Sequence, residues 1–248
     1  MMNQIGDERF RWRILAVLYL CQLSFAVTFQ SIPPVMSLVI AHFRLSHHEA
    51  GLLMSVFSLP GIFLSLPSGL LSDRWGVKPV GVGALILTAV GTLLVATGQS
   101  FPIVLAGRIL AGLGAVTLII SIPKAIAQWF AGGEMGVAMG IYNTGMPLGS
   151  IAMLNAAPAL STLWGWRTGD WATLAFTVTA VAIFSIFYRN PTTLVTQKPK
   201  DAPGAGRGGE DRPSHLAGRS RVGILQRLDH IVVHLRPRFP GRQGVSPR

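Results

Sequence analysis

Six long apolar stretches separated by short polar ones organise the chain, at residues 14–36, 50–71, 80–98, 101–122, 136–160 and 171–188. Crossing a hydrocarbon core of about 30 Å takes roughly 20 apolar residues at about 1.5 Å of rise each, which is close to the length of every stretch. Helices are expected in all six, because lipid offers no partner for free backbone groups and the runs lack the polar alternation of a barrel strand. The first run follows Arg9, Arg11 and Arg13 but is longer than a signal-peptide core and lacks a small-residue cleavage site, so it reads as a retained helix. Pro33 and Pro34 are expected to bend or break its far end.

Composition supports the same class. Of 248 residues 50% are hydrophobic and only 12% charged, about half the roughly 25% of soluble domains, and mean hydropathy is +0.49. The net charge of +11 would suggest nucleic acid, but its distribution removes that suggestion. Residues 1–188 carry nine Lys and Arg against six Asp and Glu, whereas residues 189–248 carry twelve against four. The basicity belongs to the tail, which has neither a series of stacking aromatics nor a binding motif, so no nucleic-acid partner is expected. Residues 191–248, rich in Pro, Gly and Arg, read as a disordered cytoplasmic segment following a six-helix domain over 1–190. A premature or out-of-frame end to the chain is an alternative, as is an interfacial helix presenting Val222, Leu225, Leu228, Val232 and Leu235.

With a cytoplasmic amino terminus, the inside segments hold Arg9, Arg11, Arg13, Arg74, Lys78, Lys124 and the tail, and the outside ones only Arg44 and Arg167. The positive-inside bias therefore places both termini in the cytoplasm, as an even number of spans requires. Pro67 followed by Trp75, Gly76 and Val77, and Pro158 followed by Trp164, Gly165 and Trp166, lie three spans apart. An inverted three-plus-three repeat produces that placement, and so does a chance match of short strings.

The loop over residues 69–79 reads GLLSDRWGVKP. It resembles the signature loop of the major facilitator superfamily, G-x-L-x-D-R-x-G-[RK]-[RK], with Gly69, Leu71, Asp73, Arg74, Gly76 and Lys78 matching and Val77 departing. The resemblance implies an all-α membrane protein, here six transmembrane helices forming half of that fold. It also implies that Gly69, Asp73, Arg74, Gly76 and Lys78 form a cytoplasmic gate. Gly69 would let helices approach closely, Gly76 would allow a tight turn, and Asp73 would accept from Arg74 or face a helix amino terminus. Read from residue types alone, the loop is better explained as a solvated turn with positive-inside charge, and it is the resemblance that favours the gate.

Arg108 opens the sequence RILAGLG, similar to the family's R-x-x-Q-G-x-G with Ala111 in place of the amide. It lies about seven residues into its span, on the order of 10 Å deep. A charge at that depth is costly and marks a functional site by default. Thr28 and Gln30 fall at the matching depth of the first span, and Asn143 lies on the fifth. These four are the candidate substrate-binding residues; an arginine satisfied by helix carbonyls that organises packing is the alternative. A lone intramembrane arginine favours a small anion as substrate. Glu49, Asp73, Glu134 and Asp170 all fall at span ends, leaving no evident proton carrier within a span.

Gly112, Gly114, Gly136, Gly140, Gly145 and Pro147 are expected to serve helix packing. The fifth span is similar to the superfamily's antiporter motif, but Met146 intrudes before Pro147 and the final glycine pair is missing, so antiport is not inferred. It is also similar to bacterial cyanate and nitrate porters. Trp164 and Trp166 suit an interfacial belt. Cys21 is expected to pack as a small hydrophobe, and the histidines show no metal-ligand spacing. No cofactor or metal is expected. No nucleophile with an adjacent base, carboxylate pair or phosphate-cradling loop points to an enzyme. The expected partners are the bilayer, a small anionic solute, and either a second copy of the chain or a missing second half. Transport by alternating access across the bacterial inner membrane is the leading expectation, and a truncated, non-transporting membrane protein or partner-binding subunit the alternative.

Overall fold

A computed structural model describes residues 2–130 and 134–190. The tail expectations over 191–248, disorder and interfacial helix alike, lie outside the described residues. Among the described residues eight helices follow one another: α1 Met2–Phe29, α2 Met36–Phe43, α3 His47–Ser58, α4 Pro60–Trp75, α5 Val77–Thr97, α6 Phe101–Trp129, α7 Met135–Trp164 and α8 Arg167–Phe187. A 3-10 turn, Pro33–Val35, joins α1 to α2. No strand occurs among the described residues.

Two expected spans are broken. The first ends at Phe29, and the chain turns through Pro33 and Pro34 before α2 resumes, as the prolines foretell. The second, expected as one helix, divides into α3 and α4 at Leu59, with Pro60 in the first turn of α4 and Pro67 inside it. The chain stays helical through Leu59, with φ −51° and ψ −43°, and the bend of 59° falls between His47–Leu64 and Leu66–Trp75, just ahead of Pro67, which lacks the N–H that would continue the ladder. Arg9–Phe43, Val77–Thr97, Phe101–Trp129 and Arg167–Phe187 are long and apolar enough to cross a membrane, and the bent pair makes a fifth. Helix α7 has 30 residues, about 45 Å of rise, but Asn143, Thr144 and Asn155 dilute its apolar character.

The repeat suspected from two short strings has a structural counterpart. Gly76 ends α4 with φ 83° and ψ 163°, and Gly165 ends α7 with φ 87° and ψ 168°. Each donates its N–H four residues back, to Ser72 O at 3.1 Å and to Ser161 O at 3.0 Å. Helix pairing follows the same relation: α1 packs on α7 as α6 packs on α3 and α4, α1 on α8 as α6 on α5, and α5 on α8 across the middle. Exchanging the two three-span units maps each pair onto its counterpart, as an inverted repeat demands.

Small residues set the tightest crossings. A Cβ on Gly91 would lie 2.2 Å from Ala111 N, one on Gly114 would lie 2.3 Å from Ala84 O, and one on Gly112 would lie 2.2 Å from Phe57 O. Gly145 meets Gln22 and Tyr19 of α1 in the same way. Gly136, Gly140 and Gly69 do not: a Cβ there meets nothing within 4 Å. Gly136 and Gly140 lie on the face of α7 turned away from α1, and Pro147 is exposed on that side too. Cys21 is fully buried among Leu18, Leu85 and their neighbours, as a small hydrophobe should be.

Candidate functional site

The break after α1 builds the site. A helix leaves its last carbonyls without intrahelical donors, and here the residue four beyond Phe29 is Pro33, which has no N–H to give. Arg108, reaching across from α6, takes over that role: Nη1 donates to Thr28 O at 3.0 Å and Nη2 to Phe29 O at 3.4 Å. The guanidinium also lies over the Phe57 ring, 4.8 Å from its centroid, and Nε finds no acceptor. Arg108 is only 2% exposed. Its charge sits at the carbonyl end of a helix, where the macrodipole favours a cation.

The arginine is not alone. Asp170, in the first turn of α8, is 1% exposed and lies in the electrostatic field of Arg108 and Arg167, with Ser31 facing it. Neither of its carboxylate oxygens accepts a hydrogen bond of good geometry among the described residues. Arg167 is held beside it, donating from Nη2 to Gly98 O at 2.6 Å and resting 4.5 Å over the Trp166 ring. Sequence reasoning placed Asp170 at a span end because the apolar run begins at Trp171, whereas the helix itself begins at Arg167 and carries the acid inside. A carboxylate three residues beyond an arginine, on the helix that follows a Trp-Gly-Trp turn, was the available signal.

The other expected substrate residues divide. Thr28 is buried at the site and donates its hydroxyl to Ser24 O at 2.7 Å. Gln30 is half-buried just beyond the end of α1. Asn143 is exposed on α7, and no contact among the described residues joins it to Arg108. Its neighbour Thr144 lies 3.3 Å from the Tyr19 hydroxyl. Trp164 is exposed in keeping with a belt, but Trp166 is buried against His42 and Phe43 and belongs to the core.

At the opposite end, Asp73 forms an ion pair with Lys124 of α6, rather than with Arg74 or a helix amino terminus. Helix α6 runs seven residues past the expected boundary at 122, which is how Lys124 reaches the loop. Gly76 and Lys78 are tied to the end of α8: Lys78 N donates to Asn190 Oδ1 at 3.0 Å, and a Cβ on Gly76 would lie 2.6 Å from Asn190 Nδ2. Asn190 thereby caps the amino terminus of α5, a role the sequence did not reveal because the partners are 112 residues apart. Arg11 pairs with Glu134 at 3.1 Å on the same end.

The model of the major facilitator superfamily matches residues 18–238. The chain belongs to the major facilitator superfamily. It is 31% identical over 147 residues to the nitrate/nitrite transporter NrtP of Picosynechococcus, and 30% identical over 149 residues to probable anion transporter 2 of rice. These alignments take in 57% and 59% of this chain but 26% and 27% of those proteins, so the chain spans about a quarter of their length in alignment. Among solved structures, the proton:xylose symporter XylE superposes with a TM-score of 0.65 at 16% identity, over 72% of this chain and 45% of that one. That likeness establishes the fold: an all-α, multi-pass membrane protein built as half of a major facilitator bundle.

Proposed function

We propose that the chain supplies one half of a secondary-active transporter that carries a small anion by alternating access. The observation that carries this reading is Arg108, a buried guanidinium with Nε unclaimed, in a chain whose relatives are named for nitrate/nitrite and anion transport. In this reading Arg108, with Thr28, Gln30 and Asn143, contacts the substrate. Gly69, Asp73, Arg74, Gly76 and Lys78 form the inner gate, and the Asp73 to Lys124 ion pair ties that loop to the helix bearing Arg108. Arg9, Arg11, Arg13, Arg74, Lys78 and Lys124 gather at the Gly76 end against Arg44 and Arg167 at the other, which supports cytoplasmic termini. A second six-helix half, from another copy of the chain or from the missing half of the transporter, completes the cavity. The exposed apolar side chains of α4, among them Ile62, Phe63 and Leu66, support such a covering.

The two carbonyl contacts of Arg108 favour one competing reading, a membrane protein without transport of its own in which the arginine only organises packing. Ligand-dependent thermal stability separates the two. A solute that binds the folded state raises the melting temperature by mass action. Nitrate, sulfate and small carboxylates tested beside neutral sugars should give a shift confined to one or more anions; no shift with any anion would leave the packing reading.

A further inference from the structure

We propose that Asn190 is a positioning residue of the inner gate, its side-chain amide fixing the Gly76–Lys78 turn and, through it, the closure that Asp73 makes with Lys124. This rests on the gate assignment above and adds the group that holds the gate in register.

A single residue, Gly76, separates the end of α4 at Trp75 from the start of α5 at Val77. A helix start leaves N–H groups without intrahelical acceptors, and the side chain of the preceding residue ordinarily takes one, as Ser46 does for α3. Glycine has no side chain to offer, so α5 has no cap of its own. Asn190 supplies the acceptor from the end of α8, with Oδ1 3.0 Å from Lys78 N. The missing side chain also makes the room, because a Cβ on Gly76 would lie 2.6 Å from Asn190 Nδ2.

Asn190 is itself held in place. The buried ring of Tyr188 stacks on Phe184 with centroids 4.7 Å apart. Phe184 in turn fills the space beside Gly81 of α5, where a Cβ would lie 2.7 Å from its Cζ. On the other side of Gly76, α4 is tied to α6 by the Asp73 to Lys124 ion pair and by the Ser72 and Ser121 hydroxyls, 2.7 Å apart. The turn is therefore pinned from α6 before Gly76 and from α8 after it, and freeing one side lets the torsions of Gly76 shift the other. The inverted counterpart is tied at the same place by different chemistry: after Gly165, Arg167 Nη2 donates to Gly98 O at the end of α5, at 2.6 Å. In each unit of the repeat, the end of the third span is bonded to the turn that precedes the other unit's third span.

The test labels cysteines in the purified full chain with a water-soluble maleimide. Ser72→Cys reports on the α4–α6 side of the turn rather than on the cap, and Thr173→Cys on a buried site toward the far end of α8. The unsubstituted chain, whose one cysteine, Cys21, is buried, gives the background. Asn190→Ala should raise labelling at Ser72→Cys about fivefold, the scale of a lost helix cap, and leave Thr173→Cys unchanged. Asn190→Asp, whose carboxylate accepts from Lys78 N, should restore the low rate, and Asp73→Asn should raise it as a control for the gate. A rise in Asp73→Asn but not in Asn190→Ala overturns the positioning role and leaves the gate standing. A rise at both cysteines means general loosening, and a rise that Asn190→Asp fails to reverse means that the acceptor is not what matters; either result overturns the proposal. No rise in either variant removes the gate reading itself, and the proposal with it.

Discussion

Arg108 donates to the carbonyl of Phe29, the group that Pro33 leaves without a backbone donor. A charged residue and a helix break thus explain each other: the broken helix presents acceptors, and the arginine makes its end tolerable in an apolar setting.

Removing Arg108 should therefore cost more than removing an ordinary core residue. Arg108→Ala orphans the Phe29 carbonyl, leaves Thr28 O with only the Ser31 N–H at 3.4 Å, and removes a positive charge that acts on Asp170, so a loss of about 3–5 kcal/mol is expected. In the double variant Arg108→Ala with Asp170→Asn, the penalty should fall below the sum of the singles. Unfolding in micelles by a double-mutant cycle measures this, and strict additivity would mean that the two groups do not interact.

Gly76 and Gly165 share a backbone conformation that only glycine adopts readily, but their surroundings differ. Gly165→Ala meets open space and should cost about 1–3 kcal/mol from backbone strain alone, whereas Gly76→Ala must also displace the Asn190 amide. Gly76→Ala should be the worse of the two by thermal denaturation. In an Asn190→Ala background its excess cost should vanish.

Glycines on α6 and α7 should respond with opposite signs. Gly112→Ala drives a methyl into the Phe57 carbonyl and destabilises the bundle, while Gly140→Ala on an open helix face should be neutral or stabilising by up to about 1 kcal/mol through helix propensity. Melting temperatures of the two variants decide it.

The ion pair of Asp73 with Lys124 is partly exposed and should contribute no more than about 1 kcal/mol to stability. A gating role predicts a larger effect elsewhere. Asp73→Asn should leave the melting temperature nearly unchanged while increasing the labelling of a cysteine placed at Ser68, which is buried between α4 and α6. Unchanged labelling would mean that the pair closes nothing.

Apolar run length made the helices legible, and Pro33 and Pro34 marked the first bend, whereas the bend ahead of Pro67 was hidden inside an unbroken apolar run. What else escaped the sequence lay where a helix outruns its apolar stretch. Lys124 and Asp170 stand just outside the hydrophobic runs, so they read as loop charges, yet α6 continues to Trp129 and α8 starts at Arg167. Charges at such margins are solvated or buried according to what packs beside them, which the chain's own pattern does not encode. Gly136 and Gly140 show the converse. Their spacing is that of a packing motif, but the helix turns that face away from every described neighbour. Asn190, capping a helix 112 residues away, is a purely tertiary feature.

Uptake of labelled nitrate into vesicles containing the full chain tests the central claim most directly. Wild type and Arg108→Gln are compared at equal amounts of folded, monodisperse protein. The account predicts saturable uptake by the wild type that falls about tenfold or more in Arg108→Gln, the loss of about one charge-assisted hydrogen bond. Equal saturable uptake by both proteins, or none by the wild type, would contradict it.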